Sequence, residues 1–244
     1  MNAGATWSNA PIKAIVFDVD GTLYRQGPVR RAMFARLASE LLINPVRGWR
    51  TIRALKAYRD AQEHLRLWPA GGDVATAQYA LACEQARVDR ESMAACVAEW
   101  MEQKPLTVLQ RSGQPGIVGL LQTCRAHGVR LGALSDYPAQ DKLKALGLEG
   151  LFDVVLCAQQ SSVNVFKPNP KGLLRAMESL GTATSETLYV GDRLDVDLPT
   201  AQAAGVRCVI IADGGQRTGS AGYTLVASYS ELQRLLWPSA VPNA

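Results

Sequence analysis

Ile12-Lys13-Ala14-Ile15-Val16-Phe17-Asp18-Val19-Asp20-Gly21-Thr22-Leu23 joins an apolar run to an acidic turn. Residues 12–17 are β-branched and aromatic, which predicts a short buried strand. The run stops abruptly at Asp18, and Gly21 permits a sharp turn. No convincing strand follows until residue 129, so the first strand must find its partners much later in the chain.

Between them, residues 25–108 show helical periodicity. Apolar residues recur at helix spacing over 29–43 (Val29, Met33, Phe34, Leu37, Leu41) and 46–67 (Trp49, Ile52, Leu55, Tyr58, Leu65). Two shorter helices are expected at 74–87 and 91–103. Pro28, Pro45, Pro69 with Gly71-Gly72, and Pro105 punctuate them. From Pro115 onward the pattern alternates: helix 117–127, strand 129–134, helix 138–146, strand 153–157, helix 170–180, strand 187–190, helix 196–204 and strand 206–211. An apolar segment 223–226 and helix 230–236 follow, and the tails 1–10 and 238–244 are expected to be loose. Short apolar strands alternating with amphipathic helices predict a doubly wound parallel sheet, an α/β fold. The expected division is an α/β core of residues 1–24 and 109–244, with an all-helical insert over 25–108.

Composition narrows the function classes. The chain of 244 residues is 48% hydrophobic and 20% charged, an ordinary balance for a globular protein. No apolar stretch reaches the ~18–20 residues that span a bilayer. Nothing ahead of strand 12–17 reads as a signal peptide. Five cysteines without a CxxC pair suggest reduced, packed thiols and a cytoplasmic setting rather than a disulfide framework or a zinc site. With only two histidines, acid–base chemistry must rest on carboxylates. A net charge of +4 does not imply nucleic-acid binding, and neither a nucleic-acid nor a membrane partner is expected.

The polar residues at the strand ends share one chemical theme. Strand 12–17 ends in Asp18 and Asp20, strand 129–134 in Ser135-Asp136, and strand 187–190 in Gly191-Asp192, with Asp195 and Asp197 close behind. Phe166-Lys167-Pro168 precedes helix 170–180. In an open parallel sheet, ligands sit at the carboxyl ends of the strands. Carboxylates gathered there call for a hard cation with oxygen ligands, Mg²⁺ before any other. Such a cation recruits phosphate, which Lys167 and Ser135 are suited to bind.

Asp18-Val-Asp-Gly-Thr-Leu23 resembles the first motif of the haloacid dehalogenase superfamily. Leu134-Ser135 is similar to its second motif, Lys167-Pro168 to its third, and Gly191-Asp192 through Asp197 to its fourth. They occur in the family's order and spacing. The resemblance implies a phosphatase-type member whose helical insert, lying between the first and second motifs, is a cap. It implies that Asp18 attacks phosphorus to form an aspartyl-phosphate and that Asp20 serves as acid and base. Mg²⁺ would be held by Asp18, the backbone carbonyl of Asp20, and Asp192. Ser135 and Lys167 would bind the phosphoryl group, and Asp197 would orient Lys167 or a metal-bound water. Asp20 implies phosphate-ester chemistry, because members that cleave carbon–halogen or carbon–phosphorus bonds characteristically lack it. The expected partner is a small phosphorylated molecule.

Competing readings predict different placements. Within enzymes the alternative is a phosphomutase acting on sugar phosphates. From another class, a non-catalytic binding module would keep the fold. Ser135 has a rival role as cap of helix 138–146, and Asp195 reads better as an acid at a helix N-terminus than as a ligand. Asp136 is given no metal role. Ten Lys/Arg residues between Arg25 and Arg66 face only Glu40, Asp60 and Glu63. Arg30, Arg31, Arg47, Arg50, Arg53, Lys56 and Arg59 read mainly as a solvated face. The sharper reading is that one or two of them select a second anion on the substrate. Trp49, Ile52 and Tyr58 read as helix-packing contacts. Oligomeric state is left open.

Overall fold

The structure is a computed structural model that describes residues 11–69, 71–212 and 222–238. Of the tails expected to be loose, all but residue 238 lies outside the described residues.

Six strands form one parallel sheet: β1 (Ala14–Asp18), β2 (Arg130–Ser135), β3 (Val154–Cys157), β4 (Thr187–Gly191), β5 (Arg207–Ile211) and β6 (Thr224–Val226). Their spatial order is β3-β2-β1-β4-β5-β6, so the first strand lies in the middle of the sheet. Alternate residues of β1 serve opposite faces. Ile15 and Phe17 pack with Leu120, Leu121 and Tyr229 from α6 (Ile117–Ala126) and α10 (Tyr229–Leu236). Ala14 and Val16 pack with Leu173, Ala176 and Ala201 from α8 (Lys171–Leu180) and α9 (Asp197–Ala203). Burial on both faces is why the strand reads as a continuous apolar run. A one-residue slip would exchange the two faces, so the register is strongly specified. The order reverses between β1 and β4. That topological switch point is where a doubly wound sheet opens a crevice at its carboxyl edge.

The segment between β1 and β2 is helical: α1 (Gln26–Ile43), α2 (Pro45–Leu67), α3 (Val74–Ala86), α4 (Arg90–Val97) and the short α5 (Leu106–Leu109). The starts of three of them are chemically marked. Asn44, Asp73 and Asp89 each accept a backbone N–H from the third residue on, and Pro45 takes the first position of α2. The segment has its own small core around Tyr58, Ala61, Ala82, Met93 and Val97. Tyr24 bridges to Gly113, and Arg25 donates to the Ser112 carbonyl at 2.8 Å, so the segment leaves and rejoins the sheet at one place.

Several local expectations shift. The expected helix 91–103 is α4 followed by a π-helical turn, Ala98–Gln103. Helix α1 starts at Gln26, with Pro28 inside its first turn, where a missing N–H breaks no bond. Trp49 is 63% exposed rather than packed, whereas Tyr58 is buried. Nine residues at 100° each place those two side chains on opposite faces of α2. Ile52 lies on a third face, lining a cavity rather than the helical core.

Candidate active site

At the end of β1, Asp18 is 5% exposed and both its oxygens are engaged. Lys167 Nζ lies 2.5 Å from Oδ1, and the Thr22 hydroxyl donates to Oδ2 at 2.9 Å. Lys167 Nζ also meets Asp197 Oδ1 at 2.7 Å, and the Tyr189 hydroxyl donates to that same oxygen at 2.9 Å. The other oxygen of Asp197 accepts the backbone N–H groups of Asp192 and Arg193 at 3.1 and 3.0 Å. Asp197 thus shapes the β4 loop and holds the lysine at once. Two glycines make room. A Cβ on Gly21, whose φ is +107°, would lie 2.0 Å from Asp192 Oδ2, and one on Gly191 would lie 2.5 Å from the Asp197 side chain.

The electrostatics are unbalanced by design of the sequence. Asp18, Asp192 and Asp197 each offer an oxygen within 4.8 Å of the others, against the single ammonium of Lys167. Burial pushes the Asp18 carboxyl well above its usual range, and the like charges of Asp197 and Asp192 add to this against the pull of Lys167. Burial alone would lower Lys167, but Asp18 and Asp197 outweigh it and hold the ammonium charged. Asp192 is pushed up to about 6 by burial and by Asp197. Its Oδ1 is buried with no hydrogen-bond partner among the described residues. An orphaned carboxylate oxygen beside a formal charge of two negatives fits a divalent cation with oxygen ligands. Each oxygen of Asp197 already takes two hydrogen bonds, each oxygen of Asp18 takes one, and Asp192 Oδ1 takes none among the described residues, so Asp192 and Asp18 have the most remaining capacity for it.

Asp20 belongs to a separate network. Lys142 Nζ lies 2.6 and 2.8 Å from its two oxygens, the Tyr24 hydroxyl donates at 2.5 Å, and the Ser135 hydroxyl at 3.4 Å. Gln26 donates to its backbone carbonyl. Burial raises this carboxyl, but the charge and hydrogen bonds of Lys142, with Tyr24, hold it below the usual range. Ser135 does not cap the following helix. That helix, α7 (Gln140–Ala145), starts later than expected and has no side-chain cap, and Ser135 Oγ instead accepts the Tyr137 N–H at 3.3 Å. Asp195 forms an ion pair with Arg193 at 2.6 Å, outside the carboxylate group.

The sequence matches the haloacid dehalogenase-like hydrolase family over residues 12–205. The chain belongs to the haloacid dehalogenase-like hydrolases. A glyceraldehyde 3-phosphate phosphatase of Methanopyrus kandleri is 31% identical over 214 residues, covering 83% of this chain and 85% of that one. A phosphoglycolate phosphatase of Rhodospirillum rubrum is 28% identical over 234 residues, covering 91% and 89%. Among solved structures, a HAD phosphatase from Thermococcus onnurineus superposes with a TM-score of 0.58 at 26% identity, covering 94% of this chain and all of that one. No helix among the described residues is long and apolar enough to cross a membrane.

Three residues of this hydrolase's site carried no sequence signal strong enough to find them. Lys142 sits on α7, seven positions beyond Ser135, and reads locally as a surface lysine. Tyr24 follows Asp20 by four residues, a spacing that only the tight turn makes meaningful. Arg66, from the last turn of α2, donates to the Lys167 carbonyl at 2.6 Å and pairs with Asp136 at 2.5 Å. Its partners are 70 and 101 residues away in sequence. Oδ2 of Asp136 takes that pair and the Gln62 amide at 3.1 Å, while its Oδ1 is buried with no hydrogen-bond partner among the described residues. Of the basic residues on α1 and α2, Arg30, Lys56, Arg59 and Arg66 line the cavity over the site, whereas Arg47 pairs with Glu40 and Glu99.

The crowding of carboxylates predicts a stability effect. A carboxyl whose folded pKa is raised stabilises the fold at low pH, and that contribution is lost as pH rises through about 6 for Asp192. In metal-free protein at pH 7.5, Asp192→Asn is therefore expected to be more stable than wild type by about 1–3 kcal/mol. The difference shrinks toward pH 4. Urea unfolding in chelator at both pH values measures it, and a variant less stable at pH 7.5 would contradict the charge argument.

Proposed function

We propose that this hydrolase is a Mg²⁺-dependent phosphatase that releases phosphate from a small-molecule monoester through an aspartyl-phosphate on Asp18. The observation that carries the reading is the electrostatic division of the two carboxylates after β1. Asp18 sits in the cation-seeking cluster beside Lys167, and Asp20 sits two residues on with a separate lysine and two hydroxyls. That division assigns one carboxylate to covalent attack and the other to proton transfer.

Asp18, Asp192 and the Asp20 carbonyl would hold Mg²⁺, which when bound supplies positive charge against which an anionic nucleophile and a phosphate dianion can approach. Lys167, fixed between Asp18 and Asp197, donates to the transferring phosphoryl group, and the Ser135 hydroxyl gives it a second hydrogen bond. In the state described, Asp20 is ionised, the form that takes a proton from the hydrolytic water. An arriving phosphate dianion raises the proton affinity of that carboxyl by like-charge repulsion, which favours the acid form needed by the leaving oxygen. The proposed division is a catalytic core of residues 1–24 and 109–244 under a helical cap of residues 25–108, whose helices α1 and α2 form walls of the cavity over the site. The named relatives act on small phosphorylated compounds, which supports a substrate of that kind.

The direct test is release of phosphate from p-nitrophenyl phosphate with Mg²⁺, then with chelator, then with Mg²⁺ restored. A loss of at least about 100-fold that Mg²⁺ reverses is expected, and undiminished turnover in chelator would sink the metal requirement. The role of Asp20 has its own signature. Asp20→Asn is expected to cost about 10²–10⁴-fold on alkyl phosphates, whose leaving oxygen needs a proton. The cost is smaller on p-nitrophenyl phosphate, whose leaving group departs as an anion. Equal losses of kcat/KM across leaving groups, a ratio that reports the step in which the leaving oxygen departs, would exclude Asp20 as the acid.

A further inference from the structure

The cavity above Asp18 has a volume of about 820 Å³. Cavities of roughly 300–1,000 Å³ enclose drug-sized ligands, so a two- or three-carbon phosphate would leave most of this one to water. The volume does not come from a helical segment swung away from the sheet. Arg66 of α2 is bonded to the Lys167 carbonyl and Asp136, and Tyr137 donates to Gln62 at 2.7 Å. Gln78 donates to the Tyr137 hydroxyl, Gln159 donates to Gln78, and Asn164 accepts the Val74 N–H at 2.7 Å. With α2 and α3 tied down along this side, the cavity is the space that exists when the segment is docked.

Its walls have an order. Helix α2 presents Ile52, Leu55, Arg59, Gln62 and Arg66 along one stripe, with Arg66 at the catalytic end. At 1.5 Å per residue, Arg59 is anchored roughly 10 Å up the wall from Arg66, and Ile52 roughly 20 Å. Helix α1 runs out from the other side of the site, where Gln26 contacts the Asp20 carbonyl. Arg30 follows roughly 6 Å beyond it, and then Met33, Phe34 and Leu37. Arg30 and Arg59 are exposed, line the cavity, and have no hydrogen bond or ion pair among the described residues. Every other basic group near the carboxylates is matched: Lys142 to Asp20, Arg66 to Asp136, Arg193 to Asp195. Phe34 is 75% exposed, a large apolar surface with nothing on it.

We infer that the substrate is a phosphate monoester with an extended leaving group, carrying a second anion that meets Arg59 and an apolar portion that covers the walls of α1 and α2. The inference rests on the phosphatase reading and deepens it. Arg59 is anchored about two helical turns up the wall from Arg66, which favours an anion set further from the ester oxygen than the single carbon that separates them in phosphoglycolate.

A homologous series tests it: ω-carboxyalkyl phosphates with one to eight methylenes, paired with methyl-terminated alkyl phosphates of equal length. The expected result is that kcat/KM rises about two- to four-fold per added methylene over the middle of the series. Carboxylates of six or more methylenes are preferred over their methyl counterparts by about ten-fold. In Arg59→Ala that preference falls to about one, and Arg59→Lys recovers part of it. A maximum at one methylene followed by decline overturns the inference, and a carboxylate preference that survives in Arg59→Ala removes Arg59 from it. Hydrolysis of p-nitrophenyl phosphate without hydrolysis of any member of the series also overturns it. Failure to hydrolyse p-nitrophenyl phosphate would instead strike at the phosphatase reading.

Discussion

Asp18→Asn is expected to lower phosphate release by about 10⁴-fold or more, because an amide cannot form the phosphoryl bond that splits the reaction into two steps. The substitution keeps the shape of the side chain and can still accept from Thr22, so the fold is expected to survive. Lys167 keeps Asp197 as its partner at 2.7 Å, and one of three mutually repelling carboxylates is gone. Activity should therefore vanish without a matching fall in stability. Stopped assays for inorganic phosphate at high enzyme concentration, with urea unfolding on the same preparation, separate the two effects. A variant that keeps a tenth of wild-type turnover would exclude Asp18 as the nucleophile.

Replacing Lys167 has the opposite profile, striking fold and activity together. Its side chain is 6% exposed and its ammonium lies between two buried carboxylates, at 2.5 Å from Asp18 and 2.7 Å from Asp197. Lys167→Met keeps the stem but leaves those charges uncompensated, which is expected to cost about 3–5 kcal/mol at pH 7.5. Activity is expected to fall about 10²–10³-fold through loss of a donor to the phosphoryl group. The sign of the pH dependence is diagnostic. Without the lysine, the Asp18 and Asp197 carboxyls move upward, so protonation as pH falls toward 5 restores part of the stability. Urea unfolding at pH 5 and 7.5 reads this out. A deficit below 1 kcal/mol at pH 7.5, or one that widens on acidification, would show that Lys167 does not neutralise the pair.

Both predictions concern residues that local sequence already marked, and the reason is covalent proximity. Asp18, Asp20 and Gly21 lie in one tight turn after an apolar run, and Asp192 and Asp197 flank another. A turn and its strand are specified by neighbours in the chain, so the residue types alone announce them. The sheet was similarly legible, since strands buried on both faces must be apolar throughout. Lys142 and Arg66 were not, although they hold Asp20 and the Lys167 loop. Each is a basic residue on a helix with polar neighbours, and nothing within a helical turn distinguishes a solvated lysine from one aimed at a carboxylate 122 residues away. Trp49 failed for a related reason. Apolar spacing along α2 fits more than one face, and only the packing of Tyr58 and Ala61 decides which face is inside.

A doubly wound α/β sheet, a helical segment between its first two strands, and an acidic cluster at the strand ends are all legible in the chain, because each follows from periodicity or from residues close in sequence. Only the folded chain shows that Asp18 and Asp20 answer to different lysines and that Asp197 spends both oxygens on Lys167, Tyr189 and the β4 loop. It alone placed Arg59 and Arg30 on the wall of a large cavity with no hydrogen bond or ion pair among the described residues. Those are facts about charge and distance between segments far apart in the chain, and long-range electrostatics are set only once burial and topology have brought the groups together.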